Sequence, residues 1–437
     1  MRKMKKFLAL ALTAAMVMSL TACVSRDTAA PAAAPADSAA AEEAPKEESA
    51  PAAAEEKTEE AAAPAAASGL KAGFIFLHDE NSTYDLNFIN AAKEACEAAG
   101  VEYVLKTGIP EGQECYDAAC ELADAGCGIV FADSFGHEDY MIEAAKEYPD
   151  VQFCHATGTK AHTEGLANYH NAFATIFQGR YLAGIAAGMK LNEMIDAGEI
   201  TADKAKMGYV GAFTYAEVIS GYTSFYLGAK SVCPSVTMEV TFTGSWYDET
   251  AEKEGANTLI QHGCVLISQH ADSMGAPTAC ETAGVPDVSY NGSTESAAPN
   301  TFIVSSRINW TPYFSHIIDC VNNGKAIETD YTGDLSTGSV ELTSFGAKAT
   351  AKGTEEAVEK AKAELEAGTL HVFDTKTFTV EGKELTSYQA DVDTDADYTP
   401  DHEVIKDGYF DESGSEFRSA PFFDIQIDGI TLLDTAY

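Results

Sequence analysis

Aromatic side chains stand close to carboxylate or amide side chains at several points in this sequence, each just after a short apolar run. The candidate contacts are Asp79, Phe88, Phe135, Asp139, Trp246, Asp272, Asn291 and Trp310. Aromatic rings stack on flat ring systems, whereas carboxylates and amides hydrogen-bond to a polar edge. The repeated pairing therefore favours a binding site for a flat heteroaromatic ligand.

Each candidate also has a purely structural interpretation. Asp79 or Ser82 could cap the helix that is predicted to follow, and Phe88 could belong to the core. Trp246 and Trp310 could pack the protein's lobes together instead of contacting a ligand. These alternatives stay open at the level of the sequence.

The familiar catalytic motifs are absent from the sequence. It contains no Gly-x-Ser-x-Gly, no Gly-x-x-x-x-Gly-Lys-Ser/Thr and no His-Glu-x-x-His. His270, Asp272 and Ser273 share one loop, and three neighbours on one loop cannot form a catalytic triad unaided. Asp79, Asp139 and Asp272 are scattered carboxylates in an acidic chain, so we expect no metal site. We therefore expect a protein that is not an enzyme and needs no cofactor.

Strands alternate with helices from residue 70 onward. Apolar runs over 72–77 and 128–132 predict buried strands, and helical patterns follow them over 84–99 and 139–148. This alternation predicts an α/β fold of two lobes, each a doubly wound, mostly parallel sheet. Ligands of such sheets bind beyond the carboxyl ends of the strands, so we expect a ligand cleft between the lobes.

The N-terminal part of the chain predicts export and anchoring. Cys23 follows a basic start, an apolar stretch and the small residues Thr21 and Ala22, a pattern that resembles a bacterial lipoprotein signal. The mature protein is then lipidated at Cys23 and held to the membrane by that lipid only. Residues 25–68 have no aromatic or large aliphatic side chain, so they predict a disordered tether.

Composition divides the chain into segments and argues against one class of partner. The predicted segments are a signal peptide over 1–22, a tether over 23–68, a first lobe over 69–185 that the chain could re-enter near 305–330, a second lobe over 186–335, and a C-terminal appendage over 336–437 that includes a hairpin over 372–385. The formal charge of −40, from 28 basic and 68 acidic residues, argues against a nucleic-acid partner, because phosphates would be repelled. Nine cysteines remain besides Cys23, and an odd number leaves at least one thiol free.

Several motifs together resemble those of a known family. They are the Cys23 signal, Asp79 with Phe88, and residues 148–151, 155–158, 179–184, 228–232, 245–248 and 269–273. Over roughly residues 70 to 390 the chain is similar to the BMP (basic membrane protein, Med-like) family of ABC-transporter substrate-binding lipoproteins. The resemblance implies a periplasmic-binding-protein-like fold, a purine nucleobase or nucleoside as ligand, and ABC permease subunits as partners. It also implies a monomer on the extracytoplasmic face of the cell membrane.

The resemblance also assigns roles to particular side chains. The family's stacking aromatics fall on Phe88 and Trp246, and its polar ring contacts fall on Asp79 and Asp139. Where the nucleoside-binding branch has an aspartate, this chain has Asn291, and it lacks that branch's lysine near residues 308–309. These two side chains hold the ribose hydroxyls in that branch, so we expect a free base to bind at least as tightly as its nucleoside.

Two other functions remain open from the sequence. One is a sensory surface receptor that has the same cleft and no permease. The other is a surface nucleoside hydrolase, which needs a general acid and an activated water.

Overall fold

The computed structural model describes residues 69–392, 402–412 and 417–437. The predicted signal peptide, the lipidation site Cys23 and the predicted tether lie outside these residues. Within the described residues, no helix combines the length and the apolar character needed to cross a membrane.

The strands and helices of the described residues alternate along most of the chain. The strands are β1 (Lys71–Ile75), β2 (Glu102–Lys106), β3 (Ile129–Ala132), β4 (Gln152–Ala156), β5 (Tyr169–Ala174), β6 (Lys206–Gly211), β7 (Thr237–Phe242), β8 (Leu266–His270), β9 (Asp287–Tyr290), β10 (Phe302–Ile308), β11 (Asp330–Gly333), β12 (Val340–Leu342), β13 (Gln389–Ala390), β14 (His402–Glu403), β15 (Ile405–Lys406), β16 (Tyr409–Phe410) and β17 (Ile430–Leu432). The helices are α1 (Thr83–Ala99), α2 (Gln113–Asp124), α3 (Glu138–Glu147), α4 (Ala161–Glu164), α5 (Ile176–Asp196), α6 (Ala216–Val232), α7 (Glu249–Gln261), α8 (Gly275–Ala283), α9 (Thr311–Asn322) and α10 (Thr354–Glu366).

Two sheets form the framework. The first has the strand order β11-β5-β4-β3-β1-β2, and all its pairings are parallel. The second has the order β12-β10-β9-β8-β6-β7-β17, with β12 antiparallel to β10 and the other pairings parallel. This architecture confirms the predicted α/β fold of two lobes with mostly parallel sheets.

The chain passes between the two sheets more than once. Helix α5 packs against α6 and β10, so it lies with the second sheet. Helix α9 packs against α1, and β11 pairs with β5, so both lie with the first sheet. The predicted lobe boundary at 185 falls inside α5, and the predicted return near 305–330 overlaps α9.

Helix α1 shows how local sequence signals build one unit of the first lobe. The Ser82 side chain accepts a hydrogen bond from the Asp85 backbone N–H and caps the helix start. Gly100 ends the helix in the left-handed conformation, with φ of 64°. The buried face includes Phe88 and Ala92, and the Phe88 ring packs against that of Phe131 in β3 of the first sheet, with centroids 5.6 Å apart.

Helices α5 and α6 approach each other so closely that glycine is required at their contact. A Cβ at Gly184 would lie 2.1 Å from the Phe225 carbonyl oxygen, and one at Gly228 would lie 2.0 Å from the Tyr181 carbonyl oxygen. Backbone atoms cannot yield such space. The small residues of α5 therefore serve contact with another helix of the same lobe.

The C-terminal residues belong to the second lobe through β17, which extends its sheet in parallel beside β7. The predicted hairpin over 372–385 is wrong as a pair of strands. What remains of it is a single antiparallel bridge between Val380 and Lys383. The alternating polar and apolar residues before it pack instead on other parts of the segment, as the stacked rings of Phe373 and Phe423 show, with centroids 4.2 Å apart.

All cysteines in the described part of the chain are free thiols. They are Cys96, Cys115, Cys120, Cys127, Cys154, Cys233, Cys264, Cys280 and Cys320. Most are buried, and burial raises the pKa of Cys96 and of Cys154 to about 12. They therefore act as small core side chains rather than as cross-links.

Candidate ligand-binding site

A cavity of about 380 Å³, including its mouth, lies between the two lobes. Its lining residues are Leu77, His78, Tyr84, Asp85, Ser134, Phe135, Thr157, Glu217, Trp246, His270, Asp272 and Tyr290. They lie at the carboxyl ends of strands or in the first turn of the helices that follow, as the topology of parallel sheets requires.

The lobes touch across this cavity, so the cleft is closed. The Thr83 backbone N–H of α1 donates to the Asp272 carbonyl oxygen at 3.0 Å. Ring contacts also cross between the lobes: His78 lies 5.4 Å from Tyr247, and the Phe135 ring lies 5.4 Å from another second-lobe ring. A ligand in the cavity would contact both lobes at once.

The first-lobe wall carries a well-held carboxylate, Asp85. Its oxygens accept hydrogen bonds from the Ser82 hydroxyl at 2.6 Å and from the His78 backbone N–H at 2.7 Å. Burial alone would raise the pKa of Asp85, but the hydrogen bonds from His78 and Ser82 outweigh it and lower this pKa. Asp85 is therefore an ionised hydrogen-bond acceptor in the cavity wall.

Tyr84 places an aromatic ring beside that carboxylate. Its hydroxyl donates to the Asp133 carbonyl oxygen at 2.7 Å, and its ring meets Phe88 edge-on at 4.8 Å.

Asp133 is a second carboxyl group close to Asp85. Its side chain is fully buried, and burial together with the nearby Asp85 charge raises its pKa well above the usual value. The two neighbouring carboxyl groups thus favour one proton between them.

The second-lobe wall begins with a cluster of rings at the ends of β6 and β7. Phe213 stacks on Tyr215 at 5.1 Å with 9° between the ring planes, and it meets the half-buried Trp246 edge-on at 5.1 Å. This packing holds Trp246 in one orientation with part of its ring open to the cavity. The cluster therefore offers a fixed aromatic face to a ligand.

Polar groups complete the second-lobe wall. Asp272 accepts a hydrogen bond from the Asn291 amide at 3.2 Å, and burial raises its pKa well above the usual value, which favours its protonated form. His270 lies against the Tyr290 ring with centroids 4.5 Å apart, and its Nε2 is 3.5 Å from Glu217 Oε1. Burial lowers the pKa of His270, so the neutral imidazole is favoured.

The structure brings together four of the residues that the sequence predicted. Phe135, Trp246 and Asp272 line the cavity. Asn291 stands behind Asp272 with a left-handed backbone, φ of 67°, which turns its amide toward that carboxyl group. Phe135 is 40% exposed and lies at the mouth, where it also borders a wider chamber outside the cavity.

The other four predicted residues lie outside the cavity lining. Phe88 and Trp310 are buried in the first lobe and stack on each other with centroids 4.4 Å apart, so they reach the cavity only through Tyr84. Asp79 is exposed and accepts hydrogen bonds from its neighbour Asn81. Asp139 is exposed on the wider chamber, where its carboxylate pairs with a lysine.

Sequence reasoning missed other lining residues. Tyr84 and Asp85 occupy the first turn of α1, and Tyr290 is the last residue of β9. The rule that ligands lie beyond strand ends applies to all three and could have found them. Glu217 lies likewise in the first turn of α6, and the aromatic residues Phe213 and Tyr215 between β6 and α6 mark that strand end.

The sequence matches the family model described as Bmp, ABC transporter substrate-binding protein PnrA-like, over residues 75–370. A purine-binding protein of Brucella abortus is 31% identical over 281 residues, which cover 63% of this chain and 75% of the relative. A putative ABC transporter glucose-binding protein of Haloferax volcanii is also 31% identical, over 226 residues, and here the chain spans 54% of the relative's length.

Solved structures agree with the two-lobed architecture. An ABC transporter solute-binding protein from Conexibacter woesei has a TM-score of 0.57 at 20% identity and covers 69% of this chain and 98% of its own. One from Aeropyrum pernix has a TM-score of 0.60 at 17% identity and covers 70% and 93%. At these identities the likeness concerns the fold, whereas the family match over residues 75–370 confirms the resemblance that the motifs predicted. This chain is a member of the Bmp family of PnrA-like ABC transporter substrate-binding proteins.

Proposed function

We propose that this protein is the lipid-anchored receptor of an ABC importer and that it captures a purine base or nucleoside in the cavity between its lobes. Substrate-binding proteins of this family work outside the cytoplasm and deliver a small molecule to permease subunits. The observation that carries the ligand proposal is the combination of aromatic faces and edge-reading polar groups in one closed cavity.

The aromatic faces suit a flat ring. Tyr84 approaches from the first lobe and Trp246 from the second, so a planar ligand between them loses water from both faces when the cleft closes. Base–aromatic stacking contributes about 1–3 kcal/mol per base. Phe135 at the mouth adds a third ring that can cover the ligand.

The polar groups suit the edge of a purine. Asp85 accepts hydrogen bonds, the protonated form of Asp272 can donate one, and Glu217 and His270 stand side by side in the second-lobe wall. Purines carry alternating donors and acceptors around two fused rings, so such a mixed set of partners can satisfy them. A cavity lined only by hydrogen-bond donors or only by acceptors could not satisfy them all.

Contacts of two side chains support a free base over a nucleoside. Asn291 donates to Asp272 at 3.2 Å and is 2% exposed, so it is engaged before any sugar arrives. Asn309 donates to Glu341 at 3.2 Å. Neither offers the charged grip on ribose hydroxyls that the nucleoside-binding branch has.

A titration panel tests the proposal. Adenine, hypoxanthine, guanine, their nucleosides and D-glucose are each added to the purified protein in a calorimeter. We expect at least one purine base to bind, and Trp246→Ala to weaken that binding. Tyr103→Ala serves as the control, since Tyr103 lies in β2, outside the cavity, and its hydroxyl bonds to Glu97.

Two results would overturn the proposal. One is the absence of binding by every purine. The other is binding of D-glucose alone, which the Haloferax volcanii relative makes a specific second candidate.

A further inference from the structure

Arg180 of α5 is a fully buried guanidinium with unusual surroundings. In the described part of the chain no carboxylate lies within 4.0 Å of it, and its Nε has no hydrogen-bond partner. Its Nη2 donates to the Gln269 carbonyl oxygen at 3.0 Å and to the Tyr209 hydroxyl. Its guanidinium lies over the ring of Tyr290, 4.7 Å from the centroid. Buried charges are ordinarily paired, so this arrangement needs a reason.

Tyr209 connects Arg180 to the cavity wall. A guanidinium can only donate, so the Tyr209 oxygen must accept from Arg180. The single hydroxyl proton of Tyr209 is then directed at the remaining neighbour, His270 Nδ1, at 3.3 Å. If Nδ1 carried the proton instead, the Tyr209 proton would lack a partner and the Nε2 lone pair would face the Glu217 carboxylate. The neutral imidazole with Nδ1 unprotonated and the proton on Nε2 satisfies both groups.

The His270 Nε2–H has no hydrogen bond of good geometry in the described residues and lies 3.5 Å from Glu217 Oε1. Both residues line the cavity, and so does Tyr290, whose buried hydroxyl also has no hydrogen-bond partner there. The wall thus presents an N–H donor next to a carboxylate acceptor. Unsatisfied buried polar groups are costly, so a ligand that satisfies them gains affinity.

We propose that Arg180, acting through Tyr209, is a positioning residue that fixes His270 as the Nε2–H tautomer, so that His270 and Glu217 read the N1/C6 edge of a purine. That edge carries a donor beside an acceptor: N1–H and O6 in a 6-oxopurine, or N6–H and N1 in adenine. The ligand class rests on the proposed function, whereas the tautomer does not depend on any ligand.

The tautomer is measured in the ligand-free protein by nuclear magnetic resonance of labelled histidine, with the His270 signal assigned from its loss in His270→Gln. We expect the Nε2–H form in the wild type. Tyr209→Phe removes one hydroxyl without changing the ring, and we expect a mixture of tautomers and about five- to tenfold weaker binding of hypoxanthine, the effect of one hydrogen bond.

Tyr222→Phe is the matched control. Tyr222 is also buried in the second lobe, and its ring lies 5.9 Å from that of Tyr209. Its hydroxyl bonds to Gln426 rather than to Arg180 or His270. We expect its variant to keep both the tautomer and the affinity of the wild type. A defect shared by both variants would mean that loss of any buried hydroxyl is enough, and the proposal would be wrong.

Purines that carry methyl groups at the N1/C6 edge test whether His270 and Glu217 bind that edge. We expect 1-methylhypoxanthine and N6,N6-dimethyladenine to bind at least tenfold more weakly than hypoxanthine and adenine. Equal binding of the blocked and free bases would overturn the edge assignment, and an Nδ1–H tautomer in the wild type would overturn the role of Arg180. If no purine binds while the Nε2–H tautomer is present, the proposed function fails and the tautomer assignment stands.

Discussion

Trp246 and Phe88 were predicted from the sequence as a pair of stacking rings, and their surroundings differ. Trp246 is half-buried and open to the cavity, whereas Phe88 is fully buried behind Tyr84. The sequence indicated that both rings stand near strand ends. The sequence could not indicate how deeply each ring is buried, because only one helical turn separates Tyr84 at the cavity from Phe88 in the core.

This difference in depth leads to opposite effects of the two alanine variants. We expect Trp246→Ala to weaken binding of a purine base by about 1–3 kcal/mol and to change the unliganded melting temperature little. We expect Phe88→Ala to lower the free energy of unfolding by about 3–5 kcal/mol, because it leaves a cavity in the core. Calorimetric titration and urea unfolding of both variants measure these effects. Early melting of Trp246→Ala with intact binding would show that the ring only packs.

Glu412 provides a pH-dependent contact at the residue scale. Its carboxylate accepts hydrogen bonds from the Phe423 backbone N–H at 2.6 Å and from the Ser220 hydroxyl of α6 at 2.6 Å. Burial raises the pKa of Glu412 to about 7, despite these hydrogen bonds. Between about pH 4.5 and 7 the folded state therefore holds a proton on Glu412 that the unfolded state has released. The contribution of Glu412 to the free energy of unfolding falls as pH rises through this range.

We expect Glu412→Gln to remove this dependence. The variant should gain stability relative to the wild type as pH rises from 5 to 8, by on the order of 1–3 kcal/mol. Urea unfolding at both pH values measures the difference, and the exposed Glu384→Gln is the control. A difference between Glu412→Gln and wild type that stays constant with pH would show that the Glu412 carboxyl group titrates normally.

At the scale of elements, the contact between α5 and α6 holds Arg180 of α5 beside Phe225 of α6 and Tyr209 of β6. Its closeness depends on Gly184, where a Cβ would lie 2.1 Å from the Phe225 carbonyl oxygen. We expect Gly184→Ala to lower the free energy of unfolding by about 1–3 kcal/mol or more, since the helices must move apart. Thermal and urea unfolding measure this effect.

Gly255→Ala in α7 is the matched control for Gly184→Ala. A Cβ there would meet its nearest atom at an ordinary 3.4 Å. We expect this variant to be neutral or stabilised by about 0.5–1 kcal/mol, because alanine favours a helix over glycine. Equal losses in both variants would show that any glycine replacement in a helix has this effect and that the close contact is unimportant.

Much of the element pattern follows from the sequence, since buried strands such as β1 and β3 are short apolar runs and Gly100 marks the end of α1 as expected. The partner of α5 does not follow, because its glycines fit a helix or a sheet equally well. The hairpin over 372–385 was wrong, because apolar residues such as Phe373 and Phe378 alternate there to meet the rest of the C-terminal segment. Local patterns predict elements, and long-range packing decides their neighbours.

At the scale of the whole molecule, the C-terminal segment contacts both lobes. Strand β17 extends the second sheet, whereas Ser419 donates through its backbone N–H to Asp330 of β11 in the first, at 2.9 Å. The segment therefore bridges the two lobes that enclose the cavity. Closure of this kind is the usual motion of two-lobed binding proteins.

Anchoring concerns the part of the chain outside the described residues. We expect Cys23→Ala to release the protein into the medium or to leave its precursor uncleaved, because the lipid supplies the membrane affinity. Fractionation of cells and labelling with a lipid precursor measure this. Unchanged processing and labelling in Cys23→Ala would contradict the predicted lipidation at that residue.

The two tryptophans allow a direct test of where a purine binds, since Trp246 borders the cavity and Trp310 is buried in the first lobe. In Trp310→Phe the remaining tryptophan is Trp246. We predict that hypoxanthine quenches its fluorescence, and that the quenching saturates at the dissociation constant found by calorimetry. In the reciprocal Trp246→Phe variant the signal of Trp310 should change little. Calorimetric binding of hypoxanthine to Trp310→Phe without any change in Trp246 fluorescence would contradict a purine site between the lobes.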